Sequence, residues 1–275
     1  MRVLVTGANG YLGQGIVKHL LKHGHEVIAT DRMISNIDEN AIAIKSDIFN
    51  VKDPYIFFQK PEVLIHLAWQ DGFVHYSDSH INELPNHYSF IKRFSESDIK
   101  TIAVMGSMHE IGFFEGSIKE DTPCKPTTPY GISKNALRNL TEMLCKMNNK
   151  TFIWLRGFYI VGNSQFGSSI FSKITTAEME GKEYFPFTLG QNQFDFIDYD
   201  VFCEQVSRAI CQEEITGIIN ICSGHPEKLA DRVERFIIEN RFKIKLKYGA
   251  FPDRPYDSKA VWGDSSKIDA IMSVL

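Results

Sequence analysis

The amino-acid sequence predicts an α/β fold, in which a doubly wound parallel sheet is followed by a smaller C-terminal region. Short apolar runs alternate with amphipathic helical stretches through the first 160 residues, and a glycine-rich turn joins the first run to the first helix. Such alternation is typical of parallel strands joined by right-handed crossovers. We therefore expect one domain over residues 1–160. Residues 161–275 should form a mixed α/β region with segments that return to the core of the first domain.

Each element is predicted from the spacing of its apolar residues. Strands are expected at Arg2–Thr6, Glu26–Asp31, Ala41–Asp47, Val63–Trp69, Thr101–Ser107, Phe152–Gly157, Gly217–Cys222 and Ile244–Tyr248. Helices are expected at Tyr11–His23, Ile81–Glu96, after Ser133 to Asn148, Ser169–Gly181, Tyr199–Glu213 and Glu227–Arg241. The stretch Phe113–Pro129 contains three prolines and several charges, and it is predicted to be a surface loop.

Composition narrows the class of protein. The 275 residues are 43% hydrophobic and 23% charged, which is ordinary for a globular chain. A net charge of −4 gives no basic field that would recruit nucleic acid or an acidic membrane. No apolar run approaches the roughly 18 residues of a membrane span, and the chain starts directly with a strand rather than a leader. The five cysteines lack C-x-x-C spacing and are expected to be reduced, so we expect a cytoplasmic protein.

A dinucleotide site is predicted at the first strand–helix turn, where Thr6 is followed by glycines at Gly7, Gly10 and Gly13. Gly7 permits the tight turn, Gly10 lets the backbone approach a pyrophosphate, and Gly13 allows close helix–sheet packing. Tyr11 and Leu12 open the helix, whose N-terminal N–H groups and dipole favour phosphate.

The residue at the end of the second strand predicts the cofactor. Asp31 has the spacing of the acidic residue that binds the adenosine ribose diol, and its carboxylate would repel a 2′-phosphate. The neighbouring Arg32 could instead pair with that phosphate, or it could be a solvated charge. The sequence therefore favours NAD, with NADP possible.

Two further strand exits are candidates for the cofactor site. Asp47 and Ile48 follow the third strand, where a side chain can reach the adenine, although Asp47 could equally cap the next helix. Leu67, Ala68 and Trp69 end the fourth strand at the carboxyl edge of the sheet, where ligands bind. Trp69 could also be a core residue, and we favour the crevice.

The catalytic residues are predicted to be Ser107, Tyr130 and Lys134. Lys134 follows Tyr130 by four positions at a helix start, so both side chains lie on one face. A nearby ammonium should lower the pKa of the phenol, letting Tyr130 exchange a proton with a sugar hydroxyl or carbonyl. Ser107 ends the fifth strand and could hold the reacting oxygen, or it could be a cap.

These residues resemble the extended short-chain dehydrogenase/reductases of the nucleotide-sugar epimerase/dehydratase/reductase group, which have a Rossmann fold. The resemblance covers nearly the whole chain and includes Thr6–Gly13, Asp31, His66–Ala68, Asn82, Ser107, Tyr130, Lys134, Leu155–Phe158, Asp195–Ile197, Asn220–Gly224, and Arg254 with Pro255. It implies a Ser-Tyr-Lys catalytic set, a nucleotide-diphosphate sugar as substrate, and a homodimer. It also implies that Asn82 lies at the cofactor and that Arg254 binds the phosphates of the substrate, unless Arg254 is a surface charge.

Departures from the family pattern narrow the activity. The dehydratases of the group have an Asp-Glu pair after the catalytic hydroxyl residue, whereas this chain has Met108 and His109, so dehydration is disfavoured. His109 could act as an acid or base, donate a hydrogen bond to substrate, or be a loop residue. The sequence around Tyr159 also departs, and Phe194 replaces a common Arg. We expect Trp69, Met108, His109 and Tyr159 to contact substrate.

Three functions are compatible with these residues. The preferred one is NAD(P)H-dependent reduction of a nucleotide-linked 4-keto-6-deoxysugar at C4, with Tyr130 as proton donor. The alternatives are a redox-neutral epimerase that retains NAD and a non-catalytic dinucleotide-binding regulatory protein. The histidines offer no convincing metal set: His19, His23 and His25 cluster without suitable partners in the sequence.

Overall fold

The computed structural model describes residues 1–162, 169–252 and 258–274. The helices in these ranges are α1 Tyr11–Lys22, α2 Pro54–Phe57, α3 Ser79–Asn82, α4 Leu84–Ser95, α5 Pro129–Met147, α6 Ile170–Met179, α7 Tyr199–Ile210, α8 Leu229–Glu239 and α9 Ser266–Ser273. The strands are β1 Arg2–Thr6, β2 Glu26–Asp31, β3 Ile42–Lys45, β4 Val63–His66, β5 Thr101–Ser107, β6 Gly116–Ile118, β7 Thr151–Gly157, β8 Tyr159–Val161, β9 Tyr184–Pro186, β10 Gln193–Asp198, β11 Gly217–Ile221, β12 Pro226–Lys228, β13 Lys245–Lys247 and β14 Ala260–Gly263. Short 3₁₀ helices span Ile48–Asn50 and Met108–Glu110.

The central sheet has seven parallel strands in the order β11-β7-β5-β4-β1-β2-β3, which confirms the predicted doubly wound fold. The chain moves outward from β1 through β2 and β3, then returns to place β4 on the other side of β1. This reversal of strand order creates a crevice at the carboxyl ends of β1 and β4. In open α/β sheets, ligands bind at such a crevice.

Two cores cover the two faces of this sheet, since neighbouring residues of a strand point to opposite faces. Val3 and Val5 of β1 pack with side chains of α1 and α7, whereas Leu4 packs with side chains of α4 and α5. The strands are buried on both faces, which explains why they appear in the sequence as continuous apolar runs.

The rest of the chain forms a second lobe with a core of its own around Phe171 and Phe236. One sheet has the order β12-β10-β14-β6, with β8 paired to β10, and a separate pair is formed by β13 and β9. The buried Asp195 carboxylate accepts backbone N–H groups of Ser223, Gly224 and Gly263 at 2.7–3.0 Å, which ties the strand ends together.

Two local predictions were wrong. Phe113–Pro129 is more than a surface loop, because Gly116–Ile118 forms β6 and Ile118 is fully buried. The helix expected after Ser133 begins earlier, at Pro129, where the Thr128 hydroxyl caps it by accepting from Gly131 N–H.

The division at residue 160 stays a prediction. The second sheet takes β6 from the first part of the chain, and the central sheet takes β11 from the second. Among the described residues, no helix combines the length and apolar character needed to cross a bilayer.

Candidate active site

The glycine turn has the geometry that a dinucleotide needs. Gly7 has φ +70°, and a Cβ added there would lie 2.7 Å from the Ala68 nitrogen. A Cβ on Gly13 would lie 2.3 Å from the Gly7 carbonyl oxygen, so α1 can pack this closely only with glycine. Gly10 is the N-cap of α1 and supplies no side-chain cap, which leaves the N–H groups of the first turn free for an anion. The turn therefore fits a pyrophosphate.

The same helix start is held by α7, which packs beside α1 on one face of the central sheet. The Tyr199 hydroxyl at the start of α7 donates to the Tyr11 carbonyl and accepts from Gly15 N–H at 3.0 Å. The Tyr11 and Tyr199 rings lie 4.5 Å apart, and burial raises the pKa of Tyr11 to about 12. Tyr11 and Leu12 are both partly buried. The position of the phosphate-binding turn thus depends on a contact that is distant in sequence.

Asp31 lies where the sequence predicts, at the end of β2 beside the glycine turn. Its carboxylate accepts Asn9 N–H at 3.2 Å and Arg32 N–H at 2.7 Å, while the Arg32 side chain is exposed. The Asp47 carboxylate caps a 3₁₀ helix by accepting Phe49 N–H at 3.2 Å, and Ile48 is buried. The capping role of Asp47 is therefore present, and its predicted role at the adenine stays a prediction.

Trp69 follows β4 in the chain and contacts the predicted catalytic residues. Its indole stacks on His87 at 4.5 Å and donates to His80 Nδ1 at 3.0 Å. The Lys134 ammonium lies 3.8 Å from its ring centroid, and the Tyr130 ring meets it edge-on at 6.3 Å. Trp69 therefore packs against a core and contacts Lys134 and Tyr130, and its predicted role in binding a ligand stays a prediction.

Ser107, Tyr130 and Lys134 converge at the carboxyl edge of the sheet. All three are buried. The Ser107 hydroxyl hydrogen-bonds the Tyr130 phenol, and Lys134 Nζ donates to the Met105 carbonyl at 2.8 Å and lies 5.9 Å from the Tyr130 ring centroid. The Ser107 hydroxyl also accepts His109 N–H at 3.3 Å, so it is a cap as well as a partner of the phenol.

The expected effect of Lys134 on Tyr130 is wrong for the protein without cofactor. Burial raises the pKa of Tyr130 to about 12, although the hydrogen bond from Ser107 opposes this shift. Burial also lowers the pKa of Lys134 to about 7. Desolvation penalises the charged form of each group, and for Lys134 it outweighs the opposing effect of the Glu110 carboxylate. Tyr130 is therefore a protonated phenol at neutral pH, ready to donate.

A buried ion pair lies next to Ser107 and is hydrogen-bonded to its backbone. Glu110 and Arg156 are both fully buried, with 2.7 Å between Glu110 Oε1 and Arg156 Nε. Trp154 Nε1 donates to Glu110 Oε2 at 2.8 Å, and Ser107 N–H donates to the same oxygen at 3.4 Å. This network fixes the end of β5 against β7. Sequence reasoning did not identify Glu110, because its partners come from a distant strand.

Histidines form one wall of the crevice. The His75 ring stacks on the Tyr130 ring at 4.9 Å with 6° between the planes, and its carbonyl accepts Tyr130 N–H at 3.1 Å. His109 lies 4.3 Å from His75 and 6.2 Å from both Tyr130 and Tyr159. Burial lowers the pKa of His109 to about 4, so it is neutral and can exchange hydrogen bonds with a ligand.

His75, which follows β4 in the chain and lies in a turn, was not singled out by the sequence analysis above. The other residues that were predicted to contact cofactor or substrate lie in different environments. Met108 is buried in the core, Asn82 is exposed at the end of α3, and Tyr159 packs on Phe194 at 4.9 Å. Arg254 and Asn163 lie outside the described residues.

An apolar cleft of about 460 Å³ lies in the second lobe, away from the catalytic trio. Its walls include Phe185, Phe187, Leu229 and Phe251, with Lys173 at the side. Flat aromatic walls beside one cation suit a planar, anionic ligand.

Comparisons with known proteins agree with this geometry. The model of the NAD dependent epimerase/dehydratase family matches residues 3–222. A protein of Aggregatibacter actinomycetemcomitans named dTDP-6-deoxy-L-talose 4-dehydrogenase (NAD(+)) is 44% identical over 269 residues, covering 96% of this chain and 99% of that protein. A UDP-glucose 4-epimerase of Lactobacillus helveticus is 25% identical over 185 residues, covering 61% of this chain and 54% of that protein.

The fold also matches a solved structure. The UDP-glucuronic acid 4-epimerase of Bacillus cereus, in complex with UDP-glucuronic acid and NAD, superposes with a TM-score of 0.84 at 20% identity. The match covers 100% of this chain and 94% of that one. At this identity the likeness establishes the fold.

Proposed function

The chain belongs to the NAD-dependent epimerase/dehydratase family, and from this premise we propose that it is an NAD-dependent oxidoreductase of a nucleotide-diphosphate sugar. It reduces the C4 ketone of a 4-keto-6-deoxyhexose and, in the opposite direction, oxidises the C4 alcohol. The observation that carries this proposal is the buried Tyr130 phenol, hydrogen-bonded to Ser107 beside Lys134 at the crevice opened by Gly7.

The relative with 44% identity supports the choice of carbon and sugar. Its name describes oxidation at C4 of a deoxythymidine-diphosphate 6-deoxyhexose by NAD⁺. Reduction of the ketone is the same reaction run backwards, and one set of residues must serve both directions. Its length coverage of 99% means that both lobes have counterparts in that protein.

NAD, when bound, accepts or supplies the hydride. The N–H groups at the start of α1 would bind its pyrophosphate, Asp31 its adenosine ribose, and Lys134 its nicotinamide ribose. The Asp31 carboxylate disfavours a 2′-phosphate, so NAD is preferred, and the exposed Arg32 leaves NADP use possible. The glycine geometry fits this group, because a side chain at Gly7 or Gly13 would collide with backbone.

The protein's own residues move the proton. In the reductive direction Tyr130 donates its phenolic proton to the oxygen on C4, and the Ser107 hydroxyl holds that oxygen in place. The raised pKa of Tyr130 keeps the donor protonated at neutral pH. In the oxidative direction the same oxygen of Tyr130 receives the proton.

The apolar cleft of the second lobe supports a nucleotide substrate. Phe185 and Phe251 offer apolar surface for a pyrimidine base, and Lys173 offers a cation for a phosphate. The predicted phosphate role of Arg254 stays part of this proposal, as does the homodimer expected from the family.

The direct test supplies a deoxythymidine-diphosphate 4-keto-6-deoxyhexose and NADH, and follows the absorbance of the reduced cofactor. NADH should be consumed in proportion to ketone, and the alcohol product should reduce NAD⁺ in the reverse assay. Tyr130→Phe is the matched inactive variant. If neither direction turns over cofactor with a panel of such sugars, the proposed reaction is wrong.

A second candidate is a redox-neutral 4-epimerase, favoured by the 25% identity to a UDP-glucose 4-epimerase. Cofactor retention separates the two. An epimerase oxidises and re-reduces the same carbon, so it should purify with bound NAD and show no net turnover. The oxidoreductase should release its cofactor on dialysis.

A further inference from the structure

A cluster of ligating side chains lies between α1 and α7, on elements that the catalytic trio does not occupy. His19 lies in the last turns of α1, His23 is the C-cap of that helix, and Glu204 on α7 faces both of them. One ligand atom from each residue lies within 4.8 Å of the other two. His19 Nδ1 is 2.7 Å and His23 Nε2 is 2.9 Å from the same oxygen, Glu204 Oε2. This arrangement brings two imidazoles and one carboxylate to a single point.

A second layer of contacts orients these groups. Asp200 Oδ1 lies 3.0 Å from His19 Nε2, the nitrogen that points away from the cluster. Arg208 Nε donates to Glu204 Oε1 at 2.9 Å, which leaves Oε2 directed at the two histidines. A carboxylate on the outer nitrogen of a ligating histidine fixes its tautomer and ring orientation in metal sites. The contact between the Asp200 carboxylate and His19 Nε2 is an outer contact of this kind.

The hydrogen-bonding capacity of His19 makes this cluster unusual. Both of its ring nitrogens face carboxylate oxygens, which only accept, and its side chain is 8% exposed. A neutral imidazole donates through one nitrogen only. A neutral His19 can therefore satisfy only one of the two carboxylates, whereas a cation bound at Nδ1 would satisfy Glu204 while the N–H at Nε2 donates to Asp200.

We propose that His19 Nδ1, His23 Nε2 and Glu204 Oε2 bind a divalent transition-metal cation of the zinc class. Two imidazoles and a carboxylate are donors that suit Zn²⁺, and three protein ligands leave one position for water. The donor atoms must separate slightly to admit a cation at about 2.0–2.1 Å from each. His23 and Glu204 are each 20% exposed, which leaves an entry path and room for this movement.

Binding at this site joins two helices that hold the glycine turn. α1 begins at that turn, and the Tyr199 hydroxyl of α7 contacts Tyr11 and Gly15 near its start. A cation at His19, His23 and Glu204 crosslinks the same pair of helices near the other end of α1. It stabilises the packing of α7 on α1, since it binds only the folded chain.

The test uses the full chain freed of metal with a chelator and titrated with Co²⁺, whose visible absorption reports coordination. Wild type should bind one equivalent with a spectrum of nitrogen and oxygen ligands, and Zn²⁺ should displace it and raise the thermal midpoint. His23→Ala and Glu204→Gln should each weaken binding by more than tenfold. Asp200→Asn, which removes the outer carboxylate, should weaken it by about 10–100-fold.

His225→Ala is the matched control, because His225 is an exposed histidine outside the cluster, and its affinity should equal that of wild type. Melting each variant in chelator establishes that it is folded before binding is compared. Affinity that His23→Ala and Glu204→Gln leave unchanged would overturn the proposal. So would a cobalt spectrum dominated by thiolate charge transfer, since it would place the metal on cysteines.

Discussion

At the scale of single residues, burial decides the chemistry of the site. Tyr130 and Lys134 are close enough to attract each other when ionised, yet both are shifted toward neutrality. The phenol is held as an acid, which suits reduction of a ketone. Its partner Ser107 contributes one hydrogen bond to the phenol and another to the backbone of His109.

Replacing Tyr130 with Phe should remove the proton donor and leave the ring packing on His75 in place. We expect kcat to fall by about 10²–10⁴-fold, the range for general acid catalysis, with little change in the Kd for NADH. Steady-state kinetics and fluorescence titration measure the two quantities. Tyr55→Phe removes a hydroxyl on α2 and should leave kcat unchanged; a similar loss there would show that the effect is structural.

Lys134 should make stability depend on pH in a defined direction. Its pKa is about 7 in the folded chain, against 10.5 for an unperturbed lysine, so below about pH 7 the folded chain carries a buried charge. This destabilising contribution diminishes as pH rises from 7 toward 10.5, because only the unfolded chain is then protonated.

Lys134→Met removes that titration. The free energy of unfolding of the variant, relative to wild type, should be higher at about pH 6 than at about pH 9, as measured by urea denaturation. A relative stability that is equal at both values, or that increases with pH, would show that Lys134 is not desolvated.

At the scale of elements, close approaches and buried pairs fix where the site residues stand. α1 can lie against the glycine turn because Gly13 has no side chain, and β5 is held to β7 by Glu110 and Arg156. Both features act at the ends of a helix or a strand, where the residues predicted to bind ligand lie. Neither contributes an atom to the reaction.

Gly13→Ala should weaken cofactor binding although alanine is the better helix former. Its Cβ would lie 2.3 Å from the Gly7 carbonyl, so α1 must move away from the turn. We expect the Kd for NADH to rise at least tenfold and the thermal midpoint to fall. Gly72→Ala is the control, because a Cβ there meets nothing within 4 Å. An unchanged Kd in the Gly13 variant would contradict the assigned contact.

Arg156→Met should leave the fully buried Glu110 carboxylate without its ion-pair partner. Breaking a fully buried pair of this kind destabilises a protein by about 3–5 kcal/mol. Urea denaturation of the variant measures the loss. Lys100→Met provides the contrast, since the Lys100–Glu62 pair is exposed and screened by solvent, so its loss should change the free energy of unfolding far less. Equal losses in both variants would show that the buried pair has no special role.

At the scale of the whole molecule, the site lies where two lobes meet. The central sheet and its helices contribute the glycine turn, the catalytic trio and the Tyr199 contact to α1, and the second lobe contributes Tyr159. Strand β6 crosses from one half of the sequence into the sheet of the other. Ligands that bind along this junction should therefore stabilise the entire fold.

NADH should raise the thermal midpoint of the chain more than NADPH does at equal concentration. At 100 times its Kd, a ligand stabilises the folded state by about 2.7 kcal/mol. The Asp31 carboxylate should repel the 2′-phosphate of NADPH and so weaken its binding. Differential scanning fluorimetry makes the comparison, with Asp31→Asn as the matched variant. A larger shift with NADPH in wild type would reverse the assigned preference.

Several features could be predicted from local sequence alone. The order of the main strands and helices follows from apolar spacing, and the glycine turn with Asp31, Ser107, Tyr130 and Lys134 follows from motif position. These are properties of neighbouring residues, because period and turn geometry depend on short stretches of chain. The strands β6, β8, β9 and β12 were missed, since three-residue strands carry too few residues to show a period, and the longer β10 and β14 were missed as well.

The tertiary structure decided everything that depends on partners distant in the chain. The sequence predicted a nicotinamide cofactor and a phenol–amine pair at one sheet edge, and Tyr130 and Lys134 do lie together there. Only folding placed His75 on the Tyr130 ring, paired Glu110 with Arg156, and brought Glu204 to His19 across 185 positions. It also reversed the expected direction of the pKa shift of Tyr130, because desolvation depends on the side chains that surround a group in space rather than on its neighbours in sequence.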